Sequence, residues 1–165
     1  MRRSPFSYMR GARVIDVLSL ADDLSPLETE QVRARLGDEA ARPERIKGML
    51  LHAAAVSRTY VAEIDRKLAG ICFIRDVGGR REMAFTKTRY LTERRKITFA
   101  RSVGALLRDL ARLEAACGRD GAPMYMHTPE GDVASRDWFV RAGCVETPMG
   151  LRCPQDAGQT KRKRR

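Results

Sequence analysis

MYMHTPEGDVASRDWFVRAGCV, residues 124–145, is the stretch on which the reading of this chain turns. It opens with a short apolar strand over 124–127 and turns across 128–132. A short helix follows over 133–141. Gly143 then stands where a helix needs a residue in the left-handed conformation, which glycine adopts without steric cost. Apolar residues resume at Cys144. Ala134, Trp138 and Ala142 repeat every four residues, which puts them on one face of the helix.

Upstream of this segment the pattern predicts a long helix over 93–117, with Thr92 as its N-cap. Ile97, Ala100, Val103, Leu107, Leu110, Leu113 and Cys117 step by three or four and form its expected buried stripe. Arg101, Arg108 and Arg112 mark the opposite face. Before that helix the period is two. Strands are expected over 59–64, 68–75 and 82–88, joined by tight turns at 65–67 and 76–79, which makes an antiparallel meander. Two helices precede the meander. One starts at Ser25-Pro26, with Glu28 completing a capping box, and stops at Gly37. The other opens at Pro43 and turns Ile46, Met49, Leu50 and Ala53 to one side. Residues 12–18 alternate well enough to be a first strand. Downstream, 145–153 is a last strand. The expected organisation is a basic arm over 1–11, one domain over 12–153, and a disordered basic tail over 154–165.

The chain has 165 residues, enough for a single real core. No apolar run approaches the roughly 18 residues that span a bilayer. The basic N-terminus lacks the apolar region of a secretory signal, which points to a cytoplasmic protein. The formal net charge is +11, of which five charges belong to the terminal KRKRR, so the body is basic without its tail. Such a balance favours nucleic acid, acidic protein surfaces or anionic cofactors; the competing reading is a solvated surface. The four cysteines include no C-x-x-C pair, and no His lies at ligand spacing, so no zinc site is expected. Cys72, Cys117 and Cys144 sit among apolar neighbours and read as small core residues.

The element order, the segment YVAEIDRKLAG (60–70) and the segment SRDWFVRAGC (135–144) together resemble the GNAT acyltransferases. The resemblance covers residues 12–153. It implies an α/β (α+β) fold with a mixed, mostly antiparallel sheet of about six strands flanked by about four helices. In that family a helix of the form N-x-x-[AS]-x-x-x-[YF]-x-x-x-G-[FA] packs beside the pantetheine arm of acetyl-CoA. Asp132, Ser135, Phe139, Gly143 and Cys144 occupy its positions here. The pyrophosphate loop of the family, [QR]-x-x-G-x-[GA], falls on residues 90–97 (YLTERRKI), which contain no glycine. Its backbone N–H groups would cradle phosphate only with side chains out of the way. Thr92, Arg94, Arg95 and Lys96 are the candidates to hold phosphate instead, as side-chain donors and charges.

The tyrosine that protonates the departing thiolate in many of these enzymes corresponds to Phe139, which has no proton to give. His127, at the end of the fifth strand, is the candidate base, and Glu82 is a second; Glu63 is a weaker strand carboxylate. His52 reads as structural.

TERRKITFARSV (92–103), followed by a strand, Asp132, and S-x-x-W-[FL]-x-x-x-G-[AC] at Ser135, Trp138, Phe139, Gly143 and Cys144, resembles the small GNAT-like internal virion proteins of short-tailed phages. That resemblance implies a protein of the host cytoplasm packaged in the virion, with virion proteins or DNA as partners and a degenerate acetyltransferase fold. The alternatives are an active acetyl-CoA-dependent N-acyltransferase on an amine acceptor, and a non-specific nucleic-acid-binding module.

Overall fold

The computed structural model describes residues 7–119, 121–128 and 131–154. The outer part of the expected arm (1–6), turn residues 129 and 130, and the tail from 155 with its KRKRR run lie outside them.

A seven-stranded sheet in the order β1-β2-β3-β4-β5-β7-β6 forms the centre. The chain runs β1 (Ser7–Gly11), α1 (Val14–Asp22), α2 (Pro26–Leu36), α3 (Pro43–Ala55), β2 (Arg58–Ile64), β3 (Lys67–Val77) and β4 (Arg80–Lys87). A π-helical turn (Tyr90–Arg94) leads into α4 (Lys96–Ala116), followed by β5 (Met124–His127), α5 (Val133–Arg141), β6 (Val145–Thr147) and β7 (Gly150–Arg152). The meander of β2, β3 and β4 is antiparallel, as expected. Its first turn places Asp65 and Arg66 at φ 53° and 63°, and its second uses Gly78 and Gly79 at 55° and 76°. Two consecutive left-handed residues give the turn whose twist suits a hairpin. β4 and β5 pair in parallel from Arg81↔Met124 to Ala84↔His127, which requires the α4 crossover between them.

Both faces of the sheet are buried, and the period of two sorts the strands between them. Tyr60, Ala62, Ile64, Cys72, Ile74 and Met83 meet Phe99, Val103, Leu106 and Leu110 of α4 and Phe139 of α5. Val61, Ile71 and Phe73 point the other way, onto Val17 and Leu20 of α1 and Ile46 of α3.

Several expectations need correction. The strand expected over 12–18 is the start of α1, and the first strand is β1, inside the expected arm. The carboxylate of Asp16 accepts from the backbone N–H of Arg13 at 2.7 Å and starts the helix. Val17 and Leu20, three apart, then carry its buried face, a pattern that mimics alternation over seven residues. The capping box of α2 does not form, because Glu28 accepts instead from the backbone of Lys87. The long helix starts at Lys96, and Thr92 lies in the preceding turn without capping it. Ile97 is 70% exposed and Cys117 is exposed; the buried stripe of α4 is Phe99, Val103, Leu106 and Leu110. In α5 the buried residues are Ser135 and Phe139, with Ala134 exposed. His52 is exposed. The last strand divides into the β6–β7 hairpin because Pro148 has no N–H for a ladder and Gly150 turns at φ 119°. Among the described residues the sheet has seven strands and five α-helices flank it, and the expected α/β architecture with a mixed, mostly antiparallel sheet holds.

Gly70 in β3 is fixed by packing. A Cβ there would lie 2.5 Å from the Phe85 ring and 2.6 Å from the backbone oxygen of Thr86. Gly48, inside α3, faces open space. Gly70→Ala should therefore cost about 1–3 kcal/mol by overpacking. Gly48→Ala should gain about 0.5–1 kcal/mol from helix propensity. Urea midpoints of the two variants test both signs.

Candidate functional site

Five N–H groups in and beside the turn that the resemblance assigns to pyrophosphate are spent inside the protein. Arg89 N–H donates to the backbone oxygen of Asp23 at 2.8 Å, and Arg95 N–H to that of Leu91 at 3.1 Å. Tyr90 N–H donates to Asp23 Oδ2 at 3.3 Å, and Leu91 N–H to Thr88 Oγ1 at 3.2 Å. Thr92 N–H donates to the Thr88 oxygen at 3.2 Å. A carboxylate from the end of α1 thus sits among the amides that would face an anion. Thr92 Oγ1 is also engaged, with the Thr88 and Arg89 oxygens at 3.3 and 3.4 Å. Arg95 pairs with Asp65 at 3.1 Å and donates to the Tyr90 hydroxyl at 3.0 Å. Of the four phosphate candidates, Arg94 and Lys96 alone are exposed side chains without an ion pair among the described residues. Arg94 lines a cavity of about 380 Å³ with Asp23, Lys67, Thr88, Arg89 and Tyr90.

The second constraint lies where β4 outruns β5. Strand pairing stops at Ala84↔His127, while β4 continues through Phe85, Thr86 and Lys87. Lys87 Nζ crosses from there to the start of α5. It donates to Asp132 Oδ2 and, at 3.0 Å, to Ser135 Oγ, and lies 3.6 Å from Glu28 Oε1 of α2. Its side chain is 3% exposed and that of Asp132 6%. Asp132 Oδ1 meanwhile caps α5 by accepting from Ser135 N–H at 3.2 Å. Burial pushes the Asp132 carboxyl up, but the Lys87 and Ser135 hydrogen bonds more than offset it and hold the group below its usual value. For Glu28 burial wins over the nearby ammonium, and its carboxyl is raised.

Beside this bridge the space between β4, α4 and α5 is filled by rings. Phe85 stacks on Phe99 at 5.3 Å and meets Phe139 edge-on at 6.3 Å, while Trp138 meets Phe99 edge-on at 5.4 Å. The void among Phe85, Phe99, Phe139 and their neighbours is about 20 Å³, room for one water and nothing larger. Phe139 and Ser135, expected beside a pantetheine arm, are buried at 4% exposure each, in the ring cluster and the lysine network respectively. The rings and the lysine bridge thus fill the ground between β4, α4 and α5, while open cavities remain at the turn and beside Ala84, Phe85, Thr86 and His127.

His127 and Glu82 do come together. Neighbouring positions of β4 and β5 bring His127 Nε2 to 3.7 Å from Glu82 Oε1. Arg80 binds the same oxygen at 2.9 Å and keeps the Glu82 carboxyl below its usual value, which weakens it as a base. His127 borders a cavity of about 320 Å³ whose wall includes Gln31, Val32, Leu36, Met49 and Phe85. Glu63 is instead held by Tyr8 and Arg10 across the β1–β2 pair.

Lys87 and Asp23 are positions at the candidate site that the sequence reading passes over, and Glu28 is read there only as a capping residue. Lys87 did leave a signal. In the β4 alternation it is in phase with Met83, which faces the core, so a lysine there had to find a buried partner.

No protein-family profile and no curated protein matches the sequence. Solved structures do share its fold. Spermidine N-acetyltransferase from Vibrio cholerae, in complex with CoA and spermine, aligns with a TM-score of 0.59 at 12% identity, covering 87% of this chain and 83% of that one. YncA, a putative acetyltransferase from Salmonella typhimurium with acetyl-CoA, gives 0.54 at 14% identity over 86% and 81%. PaiA N-acetyltransferase from Thermoplasma acidophilum with coenzyme A gives 0.52 at 10% identity over 88% and 96%. The fold is that of the GNAT acyltransferases.

Removing the ammonium leaves Asp132 buried and unpaired, so Lys87→Met should lower unfolding free energy by about 3–5 kcal/mol. Adding Asp132→Leu should regain most of that loss in urea titrations. The pH dependence follows from the sign of each shift. The lowered Asp132 group contributes stability above the unfolded-state value of about 3.9, and that contribution is lost as pH falls through its lower folded value. Glu28 acts oppositely, since acid relieves its burial. The advantage of the parent over Asp132→Asn should be full near about pH 6 and shrink below about pH 4.

Proposed function

We propose that this chain is a catalytically degenerate GNAT-fold protein that works by binding, with its own side chains occupying the ground that acetyl-CoA takes in the enzymes. The Lys87–Asp132 bridge between β4 and α5 carries this reading. The glycine-free turn with engaged amides and Phe139 at the acid position support it. With the sequence resemblance to GNAT-like internal virion proteins of short-tailed phages and the net charge of +11, the reading becomes a protein of virion assembly. It is made in the host cytoplasm and packaged, with virion proteins or DNA as partners.

A second reading is an active N-acyltransferase on an amine. The approach of Glu82 to His127, which lines a cavity of about 320 Å³, favours it. An assay for free thiol released from acetyl-CoA, with spermine and lysine peptides as acceptors, separates the two. The binding reading predicts release no faster than without protein. Protein-dependent release that His127→Ala abolishes would establish the enzyme.

Phe139→Tyr sharpens the distinction. The new hydroxyl enters the ring cluster without a partner and should cost about 1–3 kcal/mol of stability, with no gain in thiol release. A gain would mean that the cleft admits a substrate.

A further inference from the structure

The two acidic residues of α4 face inward and its exposed charges are all cationic. Glu114 is fully buried and accepts from Arg58 at 2.7 Å and from the Tyr60 hydroxyl at 2.6 Å. Asp109, with its side chain 11% exposed, accepts from the backbone N–H of Met9 at 3.2 Å. The exposed charged residues of the helix are Lys96, Arg101, Arg108 and Arg112. Arg112 reaches Asp109 at 3.6 Å while remaining 68% exposed. Arg101 and Arg108 have no carboxylate within ion-pair reach among the described residues. Some exposed arginines elsewhere find one, as Arg33 does with Glu30 and Asp38, Arg42 with Glu39, and Arg136 with Glu146, while others, such as Arg45, Arg75 and Arg141, do not among the described residues. The exposed charges of α4 are thus all of one sign.

The geometry of that face is a row. Seven residues separate Arg101 from Arg108, roughly 10 Å along the axis and nearly two full turns, so both point the same way. Arg112 extends the row to about 16 Å. A nucleic-acid duplex carries roughly nine or ten phosphates over that length. Gly104 lies between the arginines, with nothing nearer to a Cβ there than Arg108 Nη1 at 3.7 Å. The backbone is therefore open to close approach. Three arginines, each able to grip a phosphate with two N–H groups, suit phosphate better than they suit solvent.

The same face argues against other polyanions. α4 exposes no aromatic ring, so it has no platform on which single-stranded bases could stack. Its one large exposed apolar residue is Ile97, too little to enter a lipid surface.

We infer that the Arg101–Arg108–Arg112 face of α4 binds the phosphate backbone of duplex nucleic acid without reading its sequence. This rests on the binding-protein reading and names a partner for it. The contacts release counterions, so affinity must fall steeply with salt.

Fluorescence anisotropy with a labelled 20-bp DNA duplex, over a series of salt concentrations, tests the assignment on the full chain. The combined variant Arg101→Ala, Arg108→Ala, Arg112→Ala should lose at least about tenfold in affinity at moderate salt, and its log–log salt slope should fall by about 2–3. The equivalent Arg→Lys variant should keep most of the slope. Equal behaviour on an RNA duplex also supports a phosphate row. All three residues are exposed, so thermal unfolding should be unchanged. An unchanged slope in the alanine variant, with binding lost when residues 161–165 are replaced by serine, would assign the contact to the tail and overturn the proposal. Tighter binding to a single strand, or equal binding to anionic vesicles, would also overturn it. Either failure leaves the closed cleft standing, because acetyl-CoA binding tests that separately.

Discussion

A buried ammonium group sets the arrangement around which the rest of this molecule's site is organised. Lys87 Nζ sits at the end of β4 among Asp132 and Ser135 of the α5 N-terminus and, farther off, Glu28 of α2. A charge so far from water is tolerable only with partners of opposite sign held in place. Those partners come from two helices, α2 and the start of α5, so the lysine ties three elements together. Asp132 does two jobs with its two oxygens, pairing the lysine through one and capping α5 through the other. The position of α5, and with it the ring cluster of Phe85, Phe99, Phe139 and Trp138, follows from that tie.

The same logic recurs at the turn before α4. An anion-binding loop works by leaving N–H groups unpaired and convergent. Here Asp23 and Thr88 take the N–H groups of residues 89–92, and this segment forms a π-helical turn. At the turn an internal acid accepts from N–H groups, and between β4 and α5 a buried ion pair and a ring cluster fill the space. Two independent substitutions of this kind, one at the turn and one between β4 and α5, make the site consistent with itself. On α4, by contrast, the exposed charges are all cationic, and Arg101, Arg108 and Arg112 share one face.

Much of the fold was legible in the residues. The meander, α2, α3, β5 and α5 follow from turn chemistry and period, and Gly143 ends α5 region as expected at φ 105°. The failures have physical causes. Residues 12–18 are too short for alternation to be told from one face of a helix, and the isolated SYMRG gives little hint that it will pair with β2. In α4 the apolar spacing places Val103 and Leu110 correctly but not Ile97 or Cys117, which are exposed. The helix instead buries the face that carries Phe99, and with it Ser102 and Glu114. The hairpin at the end was hidden because each of its strands has three residues.

The site was less legible. Ser135, Asp132 and Phe139 were marked by motif, but their partners were not, since contacts such as Lys87–Asp132 join residues far apart in sequence. His127 and Glu82 were placed by strand position, and their approach to 3.7 Å follows from the parallel register. Central to this account is that the cleft does not admit coenzyme A, and calorimetric titration with acetyl-CoA at moderate salt, with ATP as a polyanion control, tests it most directly. The account predicts no binding, or weak binding equal for the two and removed by salt. Micromolar affinity for acetyl-CoA, well above that for ATP, would contradict it.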